Sequence, residues 1–301
     1  MKSSPLLFKL FLVAALSHCG AVLALPESAY GPAKLLGKLN VPFINELSGI
    51  ADSRANPGVV WCHNDSGDGA YVYALNRRAE CIGVFLVRSA TANDWEDMAW
   101  GPGPDGTGSS LYLGDIGDNP KQRRQYSIYR IAEPKVGKEP GSKQAPDLTG
   151  EPTIRRDFTY PDGSHNAECL MVHPKTGVVY IATKDESGAA GVYRFPPERK
   201  EWWEPVKLER VGTVKLPGEL ITGGDISPDG TRVALRTYAT AYELRLPPGS
   251  VSFDDVWKAT PTRIPTPFMT ISEAICYTAD GRSLLISSEG IGAPLYELPA
   301  K

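Results

Sequence analysis

The apolar residues of this chain occur in short runs separated by turn-forming residues, and beyond the N-terminus no run keeps the spacing of an amphipathic helix. The runs are rich in β-branched and aromatic residues, as in VVWCHN, YVYAL, VVYIATK, RVALRTY and SLLISSE, and such residues favour strands. Between the runs stand turn sequences of the Asn-Pro-Gly, Asp-Gly and Lys-Thr-Gly types. This pattern predicts an all-β protein.

A short motif recurs along the chain, in which a polar residue heads an alternating apolar stretch that usually ends at a proline. Each copy is followed by a turn, a second strand, a loop, a third strand and a more variable fourth strand. Units of four strands without intervening helices are typical of the blades of a β-propeller. The copies begin at Ser48, Glu96, Glu168, Thr222 and Glu273.

The number of blades depends on how the ring closes. The last unit ends with its third strand, and the segment KLLGKLNVPF at residues 34–43 is available to supply the missing outer strand. The sequence therefore predicts a five-bladed propeller closed by an N-terminal strand. A six-bladed ring is the alternative, and it would need a further blade within residues 103–165. That region also holds a segment rich in Pro, Gly and charge, residues 136–152, which is predicted to be a surface insertion.

The N-terminal residues have the three parts of a secretory signal peptide: lysines at positions 2 and 9, an apolar run, and small residues before a cleavage site after Ala24. No later run approaches the roughly 18 apolar residues that a membrane-spanning helix needs. These features predict a signal peptide at residues 1–24. They also predict a secreted or periplasmic protein in which residues 25–301 form a single β-propeller domain.

The composition and net charge of the chain limit the kinds of partner that it is expected to bind. Of the 301 residues, 42% are hydrophobic and 22% are charged, which is sufficient for a sizeable globular core. The formal net charge is only -3 and the longest basic run is KQRR at residues 121–124, so a nucleic-acid-binding surface is not expected. No feature of the sequence identifies a protein partner.

The cysteines of the predicted mature chain are too scattered for a disulfide framework. Two interpretations stay open, namely buried free thiols or at least one disulfide bridge. The absence of a CxxC motif argues against thiol redox chemistry and against a structural zinc knuckle. The cysteines are Cys62, Cys81, Cys169 and Cys276.

The polar residues that head the repeated units are candidate metal ligands. In a propeller the first strand of each blade lines the central channel, so these residues are expected to converge near one level of the axis. Three of them are carboxylates, which repel one another in a partly desolvated channel, and no lysine or arginine recurs in the inner strands. Carboxylates with hydroxyls and water form the oxygen set that suits calcium, so the prediction is a calcium site at Ser48, Glu96, Glu168, Thr222 and Glu273. The alternative is that the acids lie at different depths of a wet channel and bind nothing.

The stretch DWEDMAW at residues 94–100 places acids next to aromatic residues. Strict alternation along a strand would put Glu96 on the channel side and Asp97 on the opposite face. Asp94 would belong to the incoming turn. Of these acids, Glu96 alone is therefore predicted to be a ligand.

The order Ser, Glu, Glu, Thr, Glu around the ring, with ELSGI opening the first unit, AEC the third and SEAI the fifth, resembles the calcium-activated nucleotidases (apyrases). The resemblance covers the blade cores from about residue 46 to residue 290 and implies a five-bladed propeller with calcium on its axis. The wider pattern, which includes HNDSGD, GDIGDN, SPDG and SSEG, is similar to that of a group of exported bacterial propellers with no assigned activity.

The resemblance extends to the ends of the second strands, where the nucleotidases carry acidic and basic groups. The corresponding segments here are HNDSGD, LGDIGDN, ATKDES and LRTY. The resemblance implies that Asp65 and Asp115 orient or deprotonate a water molecule, and that Lys184 and Arg236 hold an anionic group. Loops rich in Gly and Asp are also typical of tight turns that cap their own backbone.

Two functions from different classes agree with these features. The first is a calcium-dependent hydrolase that acts at the channel mouth on a small anionic substrate, a phosphoanhydride or another ester. The second is a non-catalytic propeller that binds a partner or a glycan. Propellers host many unrelated functions, so the fold does not choose between an enzyme and a binding protein.

Overall fold

The computed structural model describes residues 29–138, 141–150, 152–196 and 205–301. The predicted signal peptide at 1–24 lies outside the described residues. Within the described ranges, no helix is both long enough and apolar enough to cross a membrane.

Strands dominate the described residues and are arranged in five sheets, which confirms the predicted all-β class. One short 3-10 helix, Phe253–Lys258, interrupts the described strands and is capped by the Ser252 side chain. The strands in chain order are β1 (Lys34–Lys38), β2 (Leu47–Asp52), β3 (Val59–Asn64), β4 (Tyr71–Asn76), β5 (Cys81–Leu86), β6 (Trp95–Gly101), β7 (Ser110–Asp115), β8 (Tyr126–Ala132), β9 (Asp147–Leu148), β10 (Ile154–Thr159), β11 (Ala167–Val172), β12 (Val179–Thr183), β13 (Ala189–Arg194), β14 (Val206–Lys207), β15 (Glu209–Lys215), β16 (Ile221–Ile226), β17 (Arg232–Thr237), β18 (Ala241–Arg245), β19 (Thr262–Ile264), β20 (Ser272–Tyr277), β21 (Ser283–Ser288) and β22 (Pro294–Pro299).

The sheets are the five blades of a propeller. Each blade starts with an inner strand, and the inner strands β2, β6, β11, β16 and β20 contact one another in that order, with β20 returning to β2. Each inner strand pairs antiparallel with the next strand in the chain, so the second strand of a blade runs back towards the end at which the inner strands begin. We term this end of the channel the mouth and the opposite end the base.

The ring is closed by an N-terminal strand, as predicted. Strand β1 pairs antiparallel with β22, where Lys34 lies opposite Glu297 and Lys38 lies opposite Pro294. It thereby becomes the fourth strand of the sheet that contains β20, β21 and β22. The six-bladed alternative is wrong, because the strands within residues 103–165 belong to the first two blades.

The described part of the segment predicted as a surface insertion contacts the outer edge of the first blade. Its strand β9 pairs in parallel with β5, where Asp147 lies opposite Phe85. Lys143, in the same segment, donates hydrogen bonds from Nζ to Asp68 (2.5 Å) and to the Tyr73 hydroxyl (2.6 Å). The insertion therefore covers an edge that would otherwise expose unpaired backbone groups.

The core lies between neighbouring blades, where buried side chains of adjacent sheets pack together. Trp61 of the first blade and Trp95 of the second belong to one such cluster, and both are almost fully buried. All four described cysteines are free, in agreement with the first of the two interpretations. Three of these thiols are buried, and Cys81 is partly exposed.

Candidate metal and catalytic site at the channel mouth

All the predicted ring residues lie at the same structural feature, a β-bulge near the mouth end of each inner strand. In β6, Trp95 and Asp97 have partners on β7, and Glu96 between them has none. The register shifts in a similar way in the other inner strands. A bulge redirects side chains from the regular alternation, and bulges are common next to active sites. The residues at the shifts are Ser48 with Gly49, Glu96, Glu168, Thr222, and Glu273 with Ala274.

The bulge makes one prediction from strand alternation wrong. Asp97 was expected on the face away from the channel, yet its carboxylate accepts hydrogen bonds from the backbone N–H groups of Leu170 on β11 (2.9 Å) and Gly224 on β16 (3.2 Å). These strands belong to the next two blades around the axis, so Asp97 faces the axis as well. Burial raises the pKa of Asp97 well above its usual range. Asp97 therefore links three inner strands.

The three glutamates of the predicted ring are buried and lie within electrostatic range of one another. Glu96 and Glu168 are each 3% exposed, and Glu273 is 5% exposed. Burial raises the pKa of Glu96 well above its usual range, and the charge of Glu168 adds to this effect. Burial, together with the nearby charges of Glu289 and Glu168, raises the pKa of Glu273 to about 10. Carboxylates in this arrangement favour either protonation or a bound cation.

The two hydroxyl members of the predicted ring connect neighbouring blades. The Ser48 hydroxyl donates a hydrogen bond to the backbone carbonyl of Glu96 on the second blade. The Thr222 hydroxyl donates to the backbone carbonyl of Ser272 on the fifth blade (2.8 Å). Both hydroxyl protons are used in these contacts, so a cation could meet only the lone pairs of the two oxygen atoms.

Two aspartates join Glu96 at the mouth. Ligand oxygens of Asp65, Asp94 and Glu96 all lie within 4.8 Å of one another. Burial raises the pKa of Asp65 to about 6, and the charge of Asp94 contributes to the same shift. Burial also raises the pKa of Asp94, against the opposing effect of Arg123. The structure thus places Asp65, predicted as a catalytic acid, beside a predicted metal ligand.

Sequence reasoning misses three of the acids at the mouth. It assigns Asp94 only to the incoming turn, and it gives Glu46 and Glu289, within the ELSGI and SSEG segments, no chemical role. The available signal was their position in the chain. Glu46 and Asp94 each directly precede an inner strand and Glu289 directly follows a second strand, and all three positions lie at the mouth. We term the whole group the mouth acids. They are Glu46, Asp65, Asp94, Glu96, Glu168, Glu273 and Glu289.

Lys184 brings a positive charge to the mouth acids. Its Nζ forms an ion pair with Glu168 and donates a hydrogen bond to the Tyr238 hydroxyl (2.6 Å). Burial opposes the charge on Lys184, but the attraction of Glu168 outweighs burial and raises the pKa of Lys184. For Glu168, burial outweighs the lysine and raises the pKa to about 7. The ion pair with Glu168 therefore favours the charged form of Lys184 within the predicted site.

Asp115 lies behind the mouth acids, in a fully buried position. Its carboxylate pairs with Arg123 (2.8 Å) and accepts hydrogen bonds from the Asp94 backbone N–H (3.3 Å) and the Asn93 side chain (3.2 Å). These contacts hold the turn that carries Asp94. The side chain of Asp115 is therefore not accessible for direct contact with a substrate.

Arg236 is fully buried as well. Its Nη1 donates to the Thr266 hydroxyl (3.1 Å), whereas Nε and Nη2 have no hydrogen-bond partner within the described ranges. Burial lowers the pKa of Arg236 to about 10, with partial compensation by Glu219. The predicted anion-holding side chain is thus enclosed by protein, in contrast to Lys184.

Two buried carboxylate oxygens at the mouth, Glu168 Oε2 and Glu273 Oε2, have no hydrogen-bond partner in the part of the chain that the structure describes. Leaving a buried charged oxygen without a donor or a cation is unfavourable. The donor set at the mouth consists of carboxylates, which suit a hard cation such as calcium.

Comparisons with known proteins show the fold. No protein-family model matches the chain, and no curated protein matches it in sequence. A solved structure of a gluconolactonase from Xanthomonas campestris is similar, with 10% identity, 89% of each chain covered and a TM-score of 0.50. The PQQ-bound form of an aldose sugar dehydrogenase from Streptomyces coelicolor is also similar, with 12% identity, 91% of this chain and 99% of that chain covered, and a TM-score of 0.52. Neither is a nucleotidase, and the resemblance to that family stays a prediction.

Proposed function

We propose that this chain is a calcium-dependent hydrolase that cleaves an ester or anhydride bond at the channel mouth. The observation that carries this proposal is the close approach of Asp65, Asp94 and Glu96, whose ligand oxygens lie within 4.8 Å of one another. Beside them, Lys184 pairs with Glu168 and remains charged. A cation and a fixed ammonium group can together stabilise the negative charge that develops when an ester is hydrolysed.

The chemistry of the mouth acids fits calcium. Calcium binds about 6–8 oxygen ligands, among which carboxylates are the most common charged ones. Asp94 and Glu96 would hold the ion, and Glu168 Oε2 and Glu273 Oε2 offer buried oxygens without other partners. When bound, calcium would supply Lewis acidity that polarises the oxygen of the scissile group.

Asp65 and Lys184 are the side chains that we assign to substrate chemistry. Burial raises the pKa of Asp65 to about 6 in the calcium-free site, which makes its carboxylate a stronger proton acceptor than that of an ordinary aspartate. Lys184 keeps its proton and can hold an anionic or developing oxyanion group.

We assign the other two predicted catalytic residues to positioning. Asp115 fixes the turn of Asp94 through the Asp94 backbone N–H and through Arg123. Arg236 is enclosed and reaches only Thr266 by a described side-chain hydrogen bond. Neither side chain has solvent-accessible surface, which a substrate contact would require.

The proposal is tested by a hydrolysis screen of phosphoanhydrides, carboxylic esters and a sugar lactone, first with calcium and then with a chelator. Turnover of at least one class is expected with calcium and is expected to be lost on chelation. Asp65→Asn should lower the rate about 100-fold or more, because it removes the proton acceptor. The exposed Glu186 offers a matched control, and Glu186→Gln should retain the wild-type rate. Absence of turnover across the panel in both conditions would overturn the hydrolase.

A separate measurement tests calcium binding independently of hydrolysis. A ligand that binds only the folded state raises its apparent stability. The midpoint of thermal unfolding should therefore increase with calcium concentration and fall on chelation. An identical midpoint of thermal unfolding in the two conditions would overturn the proposed binding of calcium.

We also propose that the protein is exported. Support comes from the lysines, apolar run and small residues at its N-terminus. N-terminal sequencing of the protein recovered outside the cytoplasm should begin at Leu25. An intact residue 1 in that fraction would contradict cleavage at the predicted site.

A further inference from the structure

Large apolar side chains are exposed on one side of the mouth. In the described ranges, Phe268 is 91% exposed, Ile291 75%, Ile271 51% and Tyr238 36%. Tyr238 follows β17, Ile291 follows β21, and Phe268 and Ile271 precede β20. All four therefore lie in mouth loops of the fourth and fifth blades. We term them the apolar patch.

The apolar patch adjoins the mouth acids. The Tyr238 hydroxyl accepts a hydrogen bond from Lys184, the lysine that pairs with Glu168. The backbone N–H of Glu289 donates to the carbonyl of Ile271 (3.0 Å). The mouth thus has an acidic half, formed mainly by the first three blades, and an apolar half beside it.

Ile271 is half exposed, and it has a backbone conformation that isoleucine rarely adopts. Its φ is 47°, in the left-handed region where a β-branched side chain is a clear outlier. The side chain is half exposed, so burial in the core does not compensate the strain. Strained residues of this kind cluster at ligand-binding and active sites.

We propose that the substrate is a carboxylic ester with an apolar acyl group, whose ester lies at the mouth acids and whose acyl chain lies on the apolar patch. This inference rests on the proposed hydrolase function and names its substrate class. The free carboxylate product carries the same two parts, an oxygen ligand for the cation and an apolar chain.

The charge of the mouth favours such a substrate over a polyanionic phosphoanhydride. When a bound cation favours their ionised forms, the seven mouth acids outnumber the positive charges of the nearby Lys184 and Arg123. Arg123 is already paired with Asp115. A neutral ester escapes most of the repulsion that several phosphate charges would meet here.

The size of the apolar patch favours a small molecule over a protein partner. A large aromatic side chain buries about 150–250 Å² at most. Two members of the patch are only partly exposed, at 51% and 36%. The four side chains together therefore fall short of the roughly 800 Å² per partner that a stable protein interface buries.

Calorimetric titration of octanoate and acetate into the calcium-loaded protein tests this inference without requiring turnover. Each methylene that packs on the apolar patch should tighten binding about fourfold, so three such methylenes give roughly 60-fold tighter binding of octanoate. The double variant Phe268→Ser with Ile291→Ser should reduce this octanoate-to-acetate ratio at least tenfold. The matched control is Val251→Ser, because Val251 is 98% exposed but lies in a loop at the base, and it should keep the wild-type ratio.

A parallel assay compares the hydrolysis of acetyl and octanoyl esters of one alcohol. We expect a higher kcat/KM for the octanoyl ester than for the acetyl ester, and we expect the double variant to lower this preference.

The possible outcomes separate the two proposals. Selective octanoate binding without hydrolysis would support the apolar patch and overturn the hydrolase. Hydrolysis without chain-length preference, together with equal binding of the two acids, would overturn the apolar acyl site and keep the hydrolase. Binding of the protein to phosphatidylcholine vesicles that depends on Phe268 and Ile291, without octanoate binding, would overturn the proposal in favour of a lipid surface.

Discussion

Gly117 lies against Glu96 so closely that a Cβ atom on residue 117 would come within 2.2 Å of Glu96 Oε1. The same atom would lie 2.5 Å from Asp94 Oδ2. The Gly117 backbone N–H also donates to the Asp94 carbonyl (3.2 Å). Absence of a side chain at this position is therefore what allows two mouth acids from the second blade to lie side by side.

Replacement of Gly117 by alanine is expected to weaken calcium binding at least tenfold. A contact under 3.0 Å requires a shift, and the nearest atoms here are the ends of the Glu96 and Asp94 side chains, so the added methyl group should displace these two carboxylates from the positions in which they converge. Calorimetric titration of calcium measures the effect, and circular dichroism checks that the fold is retained. Gly150→Ala is the matched control, since nothing lies within 4 Å of its added Cβ. Equal calcium affinity of the two variants would show that the pair of acids does not hold the ion.

The calcium-free protein is expected to lose stability as the pH rises from about 4.5 to 7. Burial raises the pKa of both Glu168 and Asp225 to about 7, whereas unfolded carboxyl groups ionise near pH 4. In this window the folded state binds more protons than the unfolded chain, so these groups make the free energy of unfolding fall as the pH increases. Calcium should reduce the fall, because a bound cation favours the ionised carboxylates.

Denaturant unfolding of Glu168→Gln at pH 5 and pH 8, in the presence of chelator, isolates this effect. The variant cannot lose a proton at this position, so its stability should decrease less between the two pH values than that of the wild type. Glu186→Gln, at an exposed position, should behave like the wild type. An equal decrease in Glu168→Gln would mean that Glu168 titrates normally.

The five-bladed ring could be predicted from the sequence because the repeat is a one-dimensional pattern. A polar residue heads each inner strand, and the β1 segment was available for the incomplete last blade. The β-bulge could not be predicted, because an extra residue in a strand depends on its pairing with the neighbouring strand. For this reason strict alternation separated Glu96 from Asp97, although both face the axis.

The chemical roles of individual loop residues were harder to predict than the ring. HNDSGD and LGDIGDN look alike in sequence, yet Asp65 joins the mouth acids and Asp115 is buried against Arg123. The difference arises from Arg123, a residue of the following loop that pairs with one aspartate and not the other. Contacts of this kind, between the end of a strand and the loop that follows it, are set by the folded backbone and leave no periodic signal in the sequence.

Glu133 is expected to be a major contact between the first two blades at the base. Its buried carboxylate accepts hydrogen bonds from Trp61 Nε1 (2.8 Å) and from the hydroxyls of Ser53 and Ser109. Glu133→Ala leaves these donors without their acceptor, and it should lower the free energy of unfolding by about 3 kcal/mol. Denaturant unfolding measures this, with Glu186→Ala as an exposed control expected to change stability by less than about 0.5 kcal/mol. Similar stability of the two variants would show that water replaces the Glu133 carboxylate at no cost.

Closure of the ring by β1 predicts an asymmetry between two glycines near the N-terminal end of the described chain. A Cβ atom on Gly37, within β1, would lie 1.9 Å from the Arg78 carbonyl oxygen, which is backbone and cannot move aside without shifting the first blade. At Gly31 the nearest atom would be at 3.6 Å, an ordinary contact. Gly37→Ala should therefore destabilise the protein by about 1–3 kcal/mol, as expected for overpacking. Gly31→Ala should have little effect on the midpoint of thermal unfolding. Because β1 joins the first and last parts of the chain, Gly37→Ala should also speed proteolysis at the N-terminal segment. Unchanged stability together with unchanged proteolysis would contradict the close approach of Gly37 to the Arg78 carbonyl.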